Sequence, residues 1–167
     1  VFLRPYNGQV VRAVDYEMSR GCIYSCEYCV ETVIQRYYGF TDTVQNTGTL
    51  RNAKQYLRNK SSKRIFQEMS QLHRNQGIVL FRCQDTNFLT IEPSTLRNLS
   101  EMIDGSGMNI MLYIETRPEG INPESIKLLK KLKVDGVGMG VELSTQEFRE
   151  DKLGRYAKQE KIIQAFK

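Results

Sequence analysis

The sequence predicts an α/β fold in which helices cover a parallel sheet. Short apolar segments at residues 78–81, 110–114 and 137–141 are typical of strands buried on both faces, and β-branched and aromatic residues mark an earlier strand at 10–18. Amphipathic segments lie between these strands, and the alternation of the two is the pattern of a parallel sheet with helical crossovers. It is compatible with a doubly wound sheet and with a barrel.

The first strand, at residues 10–18, is followed by a turn that includes Gly21. A helix over residues 61–75 carries apolar residues at helical spacing and ends at Gly77, a common stop signal. The second strand, at residues 78–81, follows directly. The first strand–helix–strand unit is therefore complete by residue 81.

The second half of the chain repeats this unit. A helix that starts near Pro93 and ends at Gly107 precedes the strand at 110–114. A third helix is capped by Asn122 and precedes the fourth strand, and an amphipathic helix occupies residues 159–167. The pattern predicts four strands with their connecting helices.

Length, composition and charge limit the classes of protein to which this chain can belong. A chain of 167 residues with 40% apolar residues can bury the core of one domain. It has no apolar segment long enough for a membrane span and no signal segment, so we expect a cytoplasmic protein. The formal charge of +5 is weak evidence for an anionic partner. Because the chain starts at Val1 and ends within an amphipathic helix, we expect residues 1–167 to be a fragment.

Three of the four cysteines, Cys22, Cys26 and Cys29, lie within eight residues directly after the first strand. Structural zinc normally takes four ligands, usually as two separated pairs, whereas three thiolates leave a coordination position unfilled. Soft thiolates favour iron–sulfur clusters, and an iron without a protein ligand can bind substrate atoms. A zinc site and three unrelated thiols are the alternatives. His73, the sole histidine, lies on a predicted helix and is expected at the surface.

The cysteine spacing is CxxxCx-aromatic-C, with Tyr28 as the aromatic residue, and it resembles the signature of the radical S-adenosylmethionine (radical SAM) enzymes. The resemblance implies a [4Fe–4S] cluster on Cys22, Cys26 and Cys29, whose remaining iron binds S-adenosylmethionine. It also implies an electron donor and reductive cleavage of S-adenosylmethionine to a 5′-deoxyadenosyl radical. The family core has six strand–helix units and this chain offers about four, so we expect a partial (β/α) barrel that lacks its C-terminal part.

Functional side chains of parallel α/β folds gather at the carboxyl ends of the strands, where further matches to the family occur. Asp85 lies in an Asp-x-Asn-Phe stretch, which implies that it accepts the methionine ammonium; a turn before a helix is the alternative. Glu142 lies in a segment resembling Gly-[IV]-Glu-Ser, which implies contact with the ribose. Arg155 matches an arginine that holds the cofactor carboxylate, and a solvated arginine is the alternative. With Tyr28, these residues form the expected cofactor site.

Two further residues have two interpretations each. Arg117, in Glu-Thr-Arg-Pro, resembles the same strand end in radical enzymes that carry a cobalamin domain or act as methylthiotransferases, and would then face the active site. Alternatively, it forms a surface ion pair with Glu115. Cys83 is either a fourth thiolate or a small buried residue. The resemblance implies methylation or methylthiolation by the full-length protein, with cobalamin as a further cofactor; a cluster or zinc module without S-adenosylmethionine cleavage is the alternative.

Residues 31–60 form a basic insertion in which Tyr37, Tyr38 and Tyr56 are interleaved with lysines and arginines. Aromatic and cationic side chains together suit RNA, whereas a solvated basic loop is the plainer interpretation. A sheet cut after its fourth strand exposes unpaired backbone. We therefore expect dimers or swapped contacts.

Overall fold

The computed structural model describes residues 1–167 and contains nine strands and seven helices. The strands are β1 (Phe2–Tyr6), β2 (Gln9–Tyr16), β3 (Ser19–Arg20), β4 (Thr43–Val44), β5 (Thr49–Leu50), β6 (Arg58–Asn59), β7 (Leu80–Cys83), β8 (Met111–Thr116) and β9 (Val134–Met139). The helices are α1 (Val30–Tyr37), α2 (Ala53–Tyr56), α3 (Ser62–Gln76), α4 (Pro93–Ser106), α5 (Pro123–Lys131), α6 (Gln146–Leu153) and α7 (Gln159–Ala165).

The main sheet has five strands in the order β1-β2-β7-β8-β9. Strands β2, β7, β8 and β9 are parallel, and β1 pairs with β2 in the antiparallel direction. The predicted α/β fold with four parallel strands is therefore confirmed. Strand β9 begins three residues earlier than its apolar segment suggested, because Asp135 and Gly136 interrupt the apolar pattern but not the pairing.

Strand β1 is the element of the main sheet that the sequence pattern did not predict. It joins β2 through a two-residue turn at Asn7 and Gly8, both with positive φ. Asn-Gly is the strongest short-range hairpin signal, because a turn that follows the twist of the strands needs two residues with positive φ. The signal was present in the sequence, and the hairpin adds β1 as the edge strand beside β2.

Local signals mark the starts of α3, α4 and α5 and the ends of α3 and α4. Ser61 caps α3 by accepting the Arg64 amide, and Gly77 ends that helix in the left-handed region. Asn122 begins α5 with a capping box. His73 of α3 is half-buried, and its Nδ1 lies 2.7 Å from the carbonyl oxygen of Ile78. No helix is long and apolar enough to cross a membrane.

The core lies between these helices and the sheet. Eighteen buried residues form one cluster, which includes Met69 of α3, Leu99 of α4, Phe81 of β7 and Ile114 of β8. Burial of such side chains contributes roughly 1.5–3 kcal/mol each to folding. The core therefore fixes the parallel strands and aligns their carboxyl ends.

The basic insertion packs partly against the rest of the chain. Tyr56 is buried, donates its hydroxyl to Glu31 at 2.8 Å and lies beside the ring of Phe40. Tyr37 and Tyr38 are exposed. One of the three interleaved tyrosines is thus a packing residue, and the expectation of RNA binding depends on the other two.

The outer edge of β9 pairs with no other strand of the main sheet, so we expect this chain to form concentration-dependent dimers. Replacing Val137, which is exposed on β9, with lysine should shift the population toward monomer, because lysine on an edge strand disfavours edge-to-edge pairing. Val10→Lys is the matched control, since Val10 is exposed on β2, a strand already paired on both sides. Light scattering across a concentration series measures the effect, and a monomeric native chain at high concentration contradicts it.

Candidate cofactor site at the carboxyl edge of the sheet

A cavity of about 400 Å³ opens where the parallel strands end. Its walls come from the loop after β2, the residue Thr86 after β7, the end of β8, the end of β9 and the segment after α6. This volume is within the range of small-molecule sites, about 300–1,000 Å³. Most of the residues that the sequence singled out line this cavity: Cys22, Cys26, Cys29, Tyr28, Arg117, Glu142 and Arg155.

The cysteine loop is held by buried polar side chains of α1. Gln35, which is 1% exposed, donates its amide to the carbonyls of Cys22 and Tyr24, at 2.9 Å each. Thr32 donates its hydroxyl to the carbonyl of Cys26 at 2.7 Å. Because buried backbone carbonyls need donors, these two side chains fix the loop without regular secondary structure.

The basic insertion supports the same loop through its backbone. The amide of Leu50 donates to the carbonyl of Ile23 at 2.7 Å, and the amide of Ser25 donates to the carbonyl of Gly48 at 2.7 Å. The sequence did not predict this support. The loop is therefore enclosed between α1 and the insertion.

The three loop thiols are free; Cys22 and Cys26 are buried, and Cys29 is partly exposed. Burial raises the pKa of Cys22 to about 11, so at neutral pH a metal must displace its proton. No group of three His, Cys, Asp or Glu side chains is arranged as ligands of a single metal ion. In a [4Fe–4S] cluster each cysteine binds a separate iron, so its thiolates need not meet at one point. Three thiols on one loop fit the donor set of such a cluster.

The other side of the cavity is built around Arg155, which is 4% exposed and therefore not a solvated arginine. Its Nη1 donates to the hydroxyl of Tyr28 at 3.1 Å and to Glu142 Oε1 at 3.3 Å, and its Nη2 donates to the carbonyl of Gly140. Its Nε is buried without a partner. Three of the four residues expected to contact the cofactor are thus in one hydrogen-bonded group.

Two backbone features place this group. Glu142 has a φ of 69°, a left-handed conformation that is uncommon for a residue other than glycine and is often found at functional sites. A Cβ on Gly140 would lie 2.5 Å from Glu142 Oε1, so a side chain there would displace the carboxylate from its present position. Burial raises the pKa of Tyr28 to about 12 although Arg155 opposes it, and the phenol stays neutral at pH 7.

Arg117 faces the cavity from the end of β8. Its Nη1 donates to Cys26 Sγ at 3.2 Å, and its guanidinium lies 3.8 Å from the centre of the Tyr24 ring. Its ion-pair partner is Glu119, whereas Glu115 is exposed and not paired with it. The structure therefore corrects the alternative of a surface pair with Glu115.

The structure does not bring Asp85 or Cys83 to the cavity. The Asp85 carboxylate is buried. It accepts hydrogen bonds from the amide of Met18 at 3.1 Å and from the amide and the hydroxyl of Ser19 at 2.5 and 2.6 Å. Burial raises the pKa of Asp85 although these donors oppose it. Asp85 thus fixes the end of β2 rather than offering an oxygen to a ligand. Cys83 lies in the core, with its thiol 3.9 Å from the carbonyl of Phe81.

Two residues that organise the site were not predicted from the sequence. Asn87 Oδ1 accepts hydrogen bonds from the hydroxyl of Thr116 at 2.7 Å and from the amide of Arg117 at 3.3 Å. These two bonds join the segment after β7 to the end of β8. Its signal was present, because Asn87 is the asparagine of the Asp-x-Asn-Phe stretch. Arg149 is the second residue and had no comparable signal, since a charged residue on a short polar helix predicts a solvated side chain.

Arg149 is fully buried within the segment that carries Glu142 and Arg155. Its guanidinium donates to the carbonyl of Leu143, to the carbonyl of Ala157 at 3.4 Å and to Gln159 Oε1 at 2.6 Å. These acceptors lie on both sides of α6. Arg149 therefore holds together the two segments that bring Glu142 and Arg155 to the cavity.

The fold and the cavity define a protein of the (β/α)-barrel class whose first parallel strand leads into a loop of three thiols. A comparison with protein families agrees, since the model of the radical SAM superfamily matches residues 16–167. The chain belongs to the radical SAM superfamily, as the cysteine spacing implied. Members of this superfamily are enzymes that use a [4Fe–4S] cluster and S-adenosylmethionine.

Two solved structures share the fold. Both are of TsrM from Kitasatospora setae, a radical S-adenosylmethionine methyltransferase. The one with cobalamin and a [4Fe–4S] cluster bound is 19% identical over 93% of this chain, with a TM-score of 0.66. The one with tryptophan substrate and the analogue aza-SAM bound is 20% identical over 92%, with a TM-score of 0.68. The chain spans 26% and 28% of those chains. Among curated proteins, no relative matches.

Proposed function

We propose that this chain is the cluster-bearing part of a radical SAM enzyme. Cys22, Cys26 and Cys29 would hold a [4Fe–4S] cluster, and S-adenosylmethionine would bind beside it. The observation that carries the proposal is that one cavity joins the three thiols to the group formed by Arg155, Glu142 and Tyr28. When bound, the cluster supplies the electron for reductive cleavage of S-adenosylmethionine to a 5′-deoxyadenosyl radical.

Arg155 is the residue that suits the carboxylate of S-adenosylmethionine. A guanidinium presents donors in a planar fork that matches a carboxylate, and a buried one loses little further freedom on binding. Its Nε lacks a partner, which leaves a donor available without breaking the contacts to Tyr28 and Glu142. The proposed role of Arg155 is therefore to orient the cofactor.

Glu142 and the glycines at the end of β9 suit the nucleoside part of the same molecule. The Glu142 carboxylate is partly exposed at the cavity and can accept hydrogen bonds from ribose hydroxyls. Gly138 and Gly140 also line the cavity, where the absence of side chains lets a ligand approach the backbone. These residues would fix the ribose relative to the thiols.

We infer further that the full-length protein transfers a methyl or methylthio group. The Glu-Thr-Arg-Pro end of β8 supports this inference, as does the likeness of the fold to a methyltransferase whose structure contains cobalamin. Cobalamin would then be bound outside residues 1–167. A module that holds a cluster or zinc without cleaving S-adenosylmethionine is the alternative function.

Anaerobic reconstitution with iron and sulfide tests the proposal. We expect about four irons and four sulfides per chain. Dithionite and S-adenosylmethionine should then yield 5′-deoxyadenosine, and the product should be absent when either reagent is omitted. Retention of zinc without cluster formation would overturn the proposal, and a full cluster that yields no 5′-deoxyadenosine would favour the module.

A further inference from the structure

Contacts with Glu119 and Tyr24 hold the guanidinium of Arg117 in place and direct its Nη1 toward Cys26. Glu119 Oε1 accepts from Nε at 3.0 Å and from Nη2 at 2.5 Å, and the Tyr24 ring covers one face at 3.8 Å. The backbone amide of Arg117 donates to Asn87 Oδ1 at 3.3 Å. The remaining nitrogen, Nη1, donates to Cys26 Sγ at 3.2 Å. This set of contacts aims one donor at one of the proposed cluster ligands.

The arrangement is buried, so its electrostatic effect is weakly screened by solvent. The side chains of Arg117 and Glu119 are 10% and 19% exposed. Arginine keeps its proton in proteins, and the ion pair with Glu119 compensates the charge of this guanidinium in its buried position. A charged donor beside a thiolate stabilises added negative charge on the sulfur and on any iron bound to it.

We propose that Arg117 tunes the reduction potential of the cluster through its hydrogen bond to Cys26, and that Glu119 limits this effect by holding and partly neutralising the guanidinium. This inference rests on the cluster of the proposed function. Reduction adds one electron from an external donor to the [4Fe–4S]²⁺ form and gives [4Fe–4S]⁺, and no bond forms or breaks. Hydrogen bonds to the sulfurs and nearby charge are among the factors that set such potentials.

The proposal predicts shifts of opposite sign at the two residues. Arg117→Gln removes a charged donor to the sulfur, so the reduced cluster is less stable and the potential falls. Glu119→Gln removes the compensating charge and leaves the guanidinium in place, so the potential rises. A residue that only supported the fold would not give this pair of signs, because damage to the fold has no reason to stabilise the reduced cluster.

The test is a dithionite titration of the reconstituted chain in which EPR spectroscopy follows the reduced cluster. At a fixed potential we expect Arg117→Gln to lower the ratio of reduced to oxidised cluster about tenfold, which corresponds to about 59 mV for one electron. Glu119→Gln should raise this ratio. Arg74→Gln is the matched control, since it removes the same charge from an exposed position on α3 and should leave the ratio unchanged.

An unchanged potential in Arg117→Gln, or a fall in Glu119→Gln, would overturn the inference. If Arg117→Gln does not fold, two other results decide the inference: a rise of the reduction potential in Glu119→Gln and an intermediate fall in Arg117→Lys. The fall is intermediate because lysine keeps the charge but cannot contact Glu119 and the sulfur in the same geometry. Failure of the native chain to assemble any cluster would instead refute the proposed function.

Discussion

Replacing Cys26 with alanine is expected to abolish cluster assembly and the formation of 5′-deoxyadenosine. The proposed cluster has three protein ligands on one loop, and Cys26 is the middle one and is buried. Its loss leaves two thiolates and removes the acceptor of the Arg117 hydrogen bond. We expect product formation to fall by more than about 100-fold, since loss even of outer partners of metal ligands costs about 10- to 100-fold. Iron and sulfide analysis and the dithionite assay measure the two losses.

Cys83→Ala is the matched control for this prediction. Its thiol is in the core and does not line the cavity, so the variant should keep the cluster and lose only packing. The expected cost is about 1–2 kcal/mol of unfolding free energy, in the lower part of the range for core truncations. Denaturant unfolding with iron analysis separates the two variants. Full iron content in Cys26→Ala, or loss of the cluster in Cys83→Ala, would contradict the assignment of the ligands.

Replacing Arg155 with methionine is expected to weaken S-adenosylmethionine binding about 100-fold while the cluster still assembles. A hydrogen bond to a charged group contributes about 1.5–3 kcal/mol, and a 100-fold loss of affinity corresponds to about 2.8 kcal/mol, so loss of the bond from the unpartnered Nε accounts for a change of this size. Methionine has a similar length and is apolar, so it removes the donors without opening a large void. The change of the EPR spectrum as S-adenosylmethionine is added gives the affinity.

Arg74→Met controls for this variant, because it makes the same replacement at an exposed position on α3 and should not change the affinity. Arg155→Lys should bind S-adenosylmethionine more weakly than the native chain and more tightly than Arg155→Met, since it keeps the charge and loses the planar fork. Native affinity in Arg155→Met would show that the buried arginine serves the fold and not the cofactor.

Most of the fold could be predicted because its signals are local. The apolar strands, the helical spacing of apolar residues and the terminal residues Gly77, Gly107 and Asn122 each depend on a few neighbouring residues, and the structure uses all three at helix ends. The signal of the Asn7-Gly8 turn is equally local, so the sequence also contains the information for this hairpin. The unpaired edge of β9 was predictable too, because the sequence pattern contains four parallel strands and β9 is the last of them.

Part of the site could be predicted because the topology of a parallel sheet brings all its strand ends to one edge. Motif resemblance then identified Tyr28, Glu142 and Arg155, and the structure groups them. Asp85 shows where this reasoning ends. Position at a strand end does not determine whether a carboxylate faces the cavity or the backbone amides behind it, and Asp85 faces the amides of Met18 and Ser19.

The sequence by itself determined the class of fold, the three-thiol loop and the superfamily, since each is written in short segments. Only the tertiary structure decided the partners of the buried charges. Arg117 meets Cys26 across 91 residues of sequence, and Arg149 joins the loops on both sides of α6. Such contacts depend on the direction of long side chains and on which distant carbonyl, carboxylate or sulfur the packed core brings within hydrogen-bond distance. No local pattern encodes that geometry.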